Sequence, residues 1–251
     1  MVFINSYKPP NPATSSVDVI SKEPYDINFS IPLPPTLETP RVRLTPFIPS
    51  IYAEPFFSAF SESPELSRYL PIAFSTCTEL VVFLDNYVRL DPSCLIFAII
   101  DKVKEKENGD IGHSLAGMIG VLNCSSKNLA VEIGPVIILK AFQRTFVASN
   151  AIGLILRHWL SIPSEGGLGF RRICWTANPY NEASIRTAER MGLKKEGVLR
   201  WTWCLPENGV GKEAGEGRGE RRGRDSVLLS ICWDDWENGG REHVEKVIAR
   251  V

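Results

Sequence analysis

Apolar positions change period several times along this chain, and each change predicts an element. Residues 1–38 show no period; they are proline-rich and poor in charge, which predicts an arm that lies on the domain or stays partly disordered. Val42, Leu44 and Phe47, set against Arg41, Arg43 and Thr45, predict a short strand. Two helices follow over 50–61 and 76–90, the second carrying Leu80, Phe83, Leu84 and Tyr87 at helical spacing. Residues 95–101, 115–123 and 129–139 read as an antiparallel meander, separated by a polar linker over 102–113 and the turn Ser125-Ser126-Lys127-Asn128. Ala148, Ala151, Ile152, Ile155 and Trp159 then recur on one helical face until Pro163 stops it. A strand over 171–177 leads to a helix over 179–191, which Gly192 ends by its freedom to turn left-handed. Strands over 197–205 and 226–233 flank a Gly-rich segment, 206–224, whose composition predicts a flexible excursion. The order is strand, two helices, three strands, helix, strand, helix, two strands, an α+β plan without internal repeats.

Composition narrows the class. The chain has 251 residues, 44% hydrophobic and 23% charged, enough for a sizeable core, and its formal net charge of −1 supplies no global field for nucleic acid or an anionic membrane. The basic run from Arg218 to Arg224 sits among Gly and Glu and reads as a solvated loop. No stretch approaches the roughly 18 apolar residues of a membrane helix, and the first residues lack a basic start with an apolar run, so a cytoplasmic protein is expected. Cys77, Cys94, Cys124, Cys174, Cys204 and Cys232 show no CxxC spacing and read as reduced, buried thiols, Cys174 included. His113, His158 and His243 are scattered, so neither a metal site nor a catalytic triad is expected.

The segment Phe142-Gln143-Arg144-Thr145-Phe146-Val147-Ala148 ahead of a helix resembles the acyl-CoA loop of the GNAT N-acetyltransferases, written Gln/Arg-x-x-Gly-x-Gly/Ala. Farther on, Asn181-Glu182-Ala183-Ser184, then Ala188-Glu189-Arg190-Met191-Gly192-Leu193 and Glu196-Gly197-Val198-Leu199-Arg200, resemble the RimJ/RimL run of Asn-x-x-Ser, a helix ending in Gly-Phe, and Glu-Gly-x-x-Arg. Arg224-Asp225-Ser226-Val227 with Trp236 fits the same family. The resemblance implies one N-acetyltransferase domain over 39–251, a mixed, mostly antiparallel sheet splayed at an acyl-CoA cleft and flanked by helices. It further implies acetyl-CoA as co-substrate, an amine acceptor, no metal, and a monomer or homodimer.

On that resemblance acyl-CoA enters between the strand ending near Leu139 and the strand over 171–177. Gln143, Arg144, Thr145, Phe146, Val147 and Ala148 then hold its pyrophosphate, chiefly through backbone N–H groups at the start of a helix. Phe146 stands where the family has Gly; if the loop keeps the family geometry, that residue is strained or crowded. Asn181 either reaches the pantetheine arm or caps the helix. Ser184 donates to the departing thiolate, or bonds its own backbone. Glu132, opposite in facing to Val131 and Ile133, is the candidate base, its bland alternative being a solvated surface acid. Ile137 or Ile138 offers an N–H to the thioester carbonyl. Trp201 and Trp203 either wall the acceptor pocket or, the favoured reading, pack in the core; Arg200 and Asp225 pair structurally. A non-catalytic CoA-binding or scaffold protein of the same fold is the alternative function, and an interaction protein using the arm and the Gly-rich segment is a third.

Overall fold

Eight strands form one sheet: Leu37–Glu38 (β1), Val42–Pro46 (β2), Leu95–Asp101 (β3), Leu115–Ser125 (β4), Ala130–Ile138 (β5), Arg172–Ala177 (β6), Lys194–Cys204 (β7) and Gly223–Cys232 (β8). The structure, a computed structural model, describes residues 24–207 and 209–250. The spatial order is β1-β2-β3-β4-β5-β6-β8-β7, and every neighbouring pair is antiparallel except β5 with β6. The α-helices are Pro49–Ser61 (α1), Cys77–Phe83 (α2), Lys102–Asn108 (α3), Ile111–Ser114 (α4), Val147–Leu160 (α5), Glu182–Arg190 (α6), Trp233–Asp235 (α7) and Arg241–Ala249 (α8), with π-helical segments at Leu84–Arg89, which continues α2, and Trp236–Gly240. This is the mixed, mostly antiparallel α+β architecture expected.

The central strands explain their own position. All of β3 is buried, and so is β4 up to Val121, which near-continuous apolar runs such as Leu-Ile-Phe-Ala-Ile-Ile require. Helix α5 packs against β2 to β6, with Phe97 and Trp159 edge to face at 6.4 Å. α1 and α2 are joined by an aromatic series, Phe56, Phe60, Phe74 and Phe83, at successive centroid distances of 5.5, 6.2 and 5.2 Å.

Several expectations are corrected. The linker over 102–113 is largely helical, because its Lys and Glu residues favour helix and Asp101 and Asp110 cap the N–H groups that follow them. A C-terminal helix, α8, was absent from the expected order; it packs on α5 where Gly153 leaves room, since a Cβ there would lie 2.3 Å from Ile248 Cδ1. Asn150 on α5, 1% exposed, accepts from Thr39 Oγ1 at 2.8 Å and donates to the carbonyls of Phe146 and Ile248. Arg41 donates to the carbonyls of Ile248 and Arg250 while its guanidinium covers the Phe146 ring at 4.4 Å. The expected arm falls outside the described residues up to position 23; beyond it, Asn28 Nδ2 and Ser30 N–H bond the carbonyls of Arg89 and Pro92, and Leu37–Glu38 joins the sheet.

Trp201 and Trp203 are not core residues. β7 is an edge strand, and they remain 53% and 46% exposed. Trp201, at φ 54, interrupts the β7–β8 register, and its ring lies against Gly223 and under Lys212 Nζ. Asp225 pairs with Lys212 at 2.7 Å rather than with Arg200. Cys204 is exposed and Cys77, Cys174 and Cys232 are half-buried, so only Cys94 and Cys124 meet the expectation of burial. Arg224 departs from the solvated run assigned to it: it lies in β8 and is 5% exposed. Among the described residues no helix is long and apolar enough to cross a membrane.

Candidate active site

β5 and β6 pair from Ala130 opposite Arg172 to Ile133 opposite Trp175, and no farther. Beyond that point β5 stays bonded to β4 as far as Ile138, and β6 to β8 as far as Ala177. Two facing strand edges are thereby left without each other, and a cleft opens between them. Leu139 N–H donates to Ala116 O on the β4 side at 2.9 Å, so alternation turns Ile138 the other way. Its carbonyl accepts from Gln143 Nε2 at 3.1 Å. Ile137 instead turns toward β4, where a Cβ on Gly117 would lie 2.0 Å from its carbonyl oxygen. The two residues that sequence could not separate therefore differ: Ile138 faces the cleft edge and Ile137 does not.

The loop after β5 ends at the start of α5. Val147 N–H is held by Thr145 Oγ1 at 3.3 Å, and Thr145 Oγ1 donates to Phe142 O at 2.7 Å. Among the described residues the N–H groups of Phe146, Ala148 and Ser149 bond nothing in the chain. Unbonded donors, added to the positive end of a 14-residue helix, suit an anion. Phe146 is not strained. Its φ of −66° and ψ of −16° are ordinary right-handed values, and its half-buried ring packs on the core beneath Arg41. The positive φ of this loop falls on Arg144, at 60°.

Across the cleft, Asn181 caps α6 by accepting from Ser184 N–H at 3.1 Å, while its Nδ2 has no partner among the described residues. Ser184 Oγ accepts from Trp175 Nε1 at 3.0 Å, which orients the hydroxyl and leaves its own hydrogen free. The turn before α6 is set by Asn178, which accepts from Tyr180 N–H and donates to Val210 O, tying it to the segment between β7 and β8.

Glu132 is half-buried and not solitary. Its Oε1 accepts from Thr176 Oγ1 at 2.6 Å and its Oε2 from Asn123 Nδ2 at 3.1 Å, so two neutral donors fix the half-buried carboxylate. Register places Glu132 level with Cys174 and Cys174 level with Ser230. Arg224, Ser226, Leu228 and Ser230 share that face of β8 by alternation. Burial pushes the Cys174 thiol up to about 11, which keeps it protonated and unsuited to carry an acyl group. A cavity of about 160 Å³ lies beyond the end of β6, lined by Asn178, Tyr180, Val210, Lys212, Arg224 and Asp225 among others. Cys232, Asp234 and Asp235 lie at metal-ligating separation, but Asp235 is committed to Lys194 and to Cys232 N–H.

Sequence reasoning gave no site role to Arg224, Asn178 or Thr176. For Arg224 the signal was present, since Arg224, Ser226 and Leu228 continue the two-residue period of a strand upstream of the expected start at 226.

Residues 41–194 match the family described as Acetyltransferase (GNAT) domain. No curated protein matches the chain significantly. Among solved structures, a GCN5-related N-acetyltransferase from Brucella melitensis superposes at TM-score 0.67 and 24% identity, over 86% of this chain and 86% of its own. Mycobacterium smegmatis RimJ in complex with CoA-disulfide does so at 0.58 and 16%, over 82% and 88%. An acetyltransferase (GNAT family) from Bacillus anthracis gives 0.57 and 19%, over 79% and 99%. At such identities the structural likeness establishes the fold, and the family match over more than half the sequence establishes the kinship: this chain belongs to the GNAT acetyltransferase family and is an acyltransferase.

Proposed function

We propose that the protein transfers the acetyl group of acetyl-CoA directly to a primary amine, of a protein N-terminus or of a small molecule, in the manner of the RimJ/RimL type. The observation that carries this reading is the splay between β5 and β6, with unbonded N–H donors at one end of the cleft and an oriented carboxylate beside it. Phe146, Ala148 and Ser149 would hold the pyrophosphate through their N–H groups, with Gln143, Arg144, Thr145 and Val147 shaping the loop. Asn181 Nδ2 would donate to the pantetheine arm.

Transfer forms a bond from amine nitrogen to acyl carbon and breaks the bond from that carbon to sulfur. Glu132 takes the proton released by the amine, directly or through a water. The N–H of Ile138 donates to the carbonyl oxygen as charge builds on it, and the Ser184 hydroxyl, oriented by Trp175, donates to the sulfur as it leaves.

Incubation with acetyl-CoA and a panel of amines, following free thiol and product mass, tests the reading. Thiol release matched by acetylated amine is expected, and Glu132→Gln should lower kcat about 10²- to 10⁴-fold with acetyl-CoA affinity unchanged. A rise in melting temperature with CoA but no transfer to any amine would favour a non-catalytic CoA-binding module instead.

A further inference from the structure

Arg224 is a buried cation with unfilled hydrogen-bonding capacity. Its Nη2 donates to Ser226 Oγ at 3.1 Å, and its Nη1 reaches the Tyr69 carbonyl, in the connection between α1 and α2, at only 3.4 Å. Its Nε has no partner at all among the described residues. Two of five N–H donors are used, one of them weakly.

No carboxylate compensates it by contact. Glu132 has both oxygens occupied by Thr176 and Asn123, and Asp225 is taken by Lys212 and Trp201 N–H. Removing a guanidinium from water without pairing it is costly, and desolvation accordingly pulls the Arg224 pKa down while the nearby Glu132 charge opposes that shift. Packing does not explain the residue, since an apolar side chain would fill the same space more cheaply. An anion arriving from outside does explain it.

The position of Arg224 says which anion. It shares with Glu132 the face of the sheet on which the acceptor amine must wait, near enough for the two charges to interact. The adjoining cavity of about 160 Å³ is lined by Arg224 and by Lys212 and Asp225, which neutralise each other, so Arg224 is the cation there without a carboxylate in contact. We propose that the acceptor carries a carboxylate a few bonds from its amine, with Arg224 receiving the carboxylate while Glu132 faces the amine. A planar guanidinium accepts a carboxylate through two parallel bonds, which sets the distance and direction of the amine. The acceptor class is then a free amino acid or a peptide with an acidic side chain close to its N-terminus. This inference rests on acyl transfer at the β5–β6 cleft.

Matched acceptors decide it in the full-length protein with acetyl-CoA: serine against serinamide, and Ser-Asp-Ala-amide against Ser-Asn-Ala-amide. In at least one pair the carboxylate member should be preferred by roughly tenfold or more in kcat/KM, mainly through KM, and the pair concerned tells a free amino acid from an acidic peptide. In Arg224→Met the two members of that pair should converge, an effect that a merely structural arginine would not produce. Equal rates for both members of both pairs in the wild-type protein overturn the proposal whether or not the variant folds. Transfer to none of the four acceptors, but to other amines of the panel, also overturns it, whereas transfer to no amine of any kind overturns the acyl-transfer reading on which it rests.

Discussion

On the proposed function Asn181 has two tasks on one amide: its oxygen holds the Ser184 N–H, and its Nδ2, without a partner among the described residues, would donate to the ligand. A serine keeps the cap acceptor and replaces the Nδ2 donor by a shorter hydroxyl that does not reach as far, so Asn181→Ser should weaken acetyl-CoA binding by about 0.5–1.5 kcal/mol at unchanged melting temperature, and Asn181→Ala should lower both. Calorimetric titration beside a thermal melt reads the difference; unchanged affinity in the serine variant would leave the residue a cap alone. Phe146 is a separate case, because its ring packs under Arg41 on a relaxed backbone. Phe146→Gly should therefore cost about 1–2 kcal/mol in a denaturant titration and should not tighten CoA, and tighter binding would restore the idea of a strained loop. These two residues mark what was legible. Alternation alone placed Glu132 opposite Val131 and Ile133, since a period of two survives in any strand. Backbone angle leaves no trace in composition, so a Phe in place of Gly looked like strain when the loop had moved its positive φ to Arg144.

At the scale of elements, one side-chain cluster ties β6, β8 and β7 together in addition to their backbone ladders. Arg172 of β6 forms a two-bond pair with Glu196 of β7, and Glu196 also accepts from Ser230 of β8 at 2.7 Å. Hydrogen bonds from Arg172 and then Ser230 hold the Glu196 carboxyl down at about 2, against an ordinary 4.5. A lowered folded-state value means that this stabilisation is complete above about pH 4.5 and is lost as pH falls toward 2. Because the pair is partly solvated, its worth at neutral pH should stay below about 1 kcal/mol. Urea midpoints measured from pH 5 to pH 2.5 should fall less steeply in Glu196→Gln than in the wild type; parallel curves would show that the contact contributes nothing. Long apolar elements such as β3, β4 and α5 could be read from their period. The short helices α3 and α4 could not, because two polar turns carry no apolar face, and β7 could not be told from a core strand, because its Trp residues look alike whether an edge covers them or not.

For the whole molecule, the joint between α5 and α8 matters more than its size suggests. Asn150 serves Thr39, Phe146 O and Ile248 O from inside the core; without its side chain Phe146 O keeps the Asn150 N–H and Ile248 O keeps Arg41, while the buried Thr39 hydroxyl loses its short acceptor. Asn150→Ala should lower the unfolding free energy by about 1–3 kcal/mol in urea, and an unchanged midpoint would assign those bonds no weight. Nothing in the last residues announced this: α8 has a modest apolar face, and its partner surface is a glycine, Gly153, whose meaning lies in what approaches it. Arg41 completes the joint by gripping the carbonyls of Ile248 and Arg250 while covering Phe146. During synthesis the chain leaves the ribosome from its N-terminus, so Arg41 and the loop at 143–146 emerge long before residue 248 does. Until α8 docks, one Asn150 N–H and the Arg41 guanidinium lack the carbonyls that fix them, and the cation over the Phe146 ring is not pinned in place. On the proposed function, a nascent chain should thus gain affinity for CoA only once residue 248 has emerged and α8 has docked.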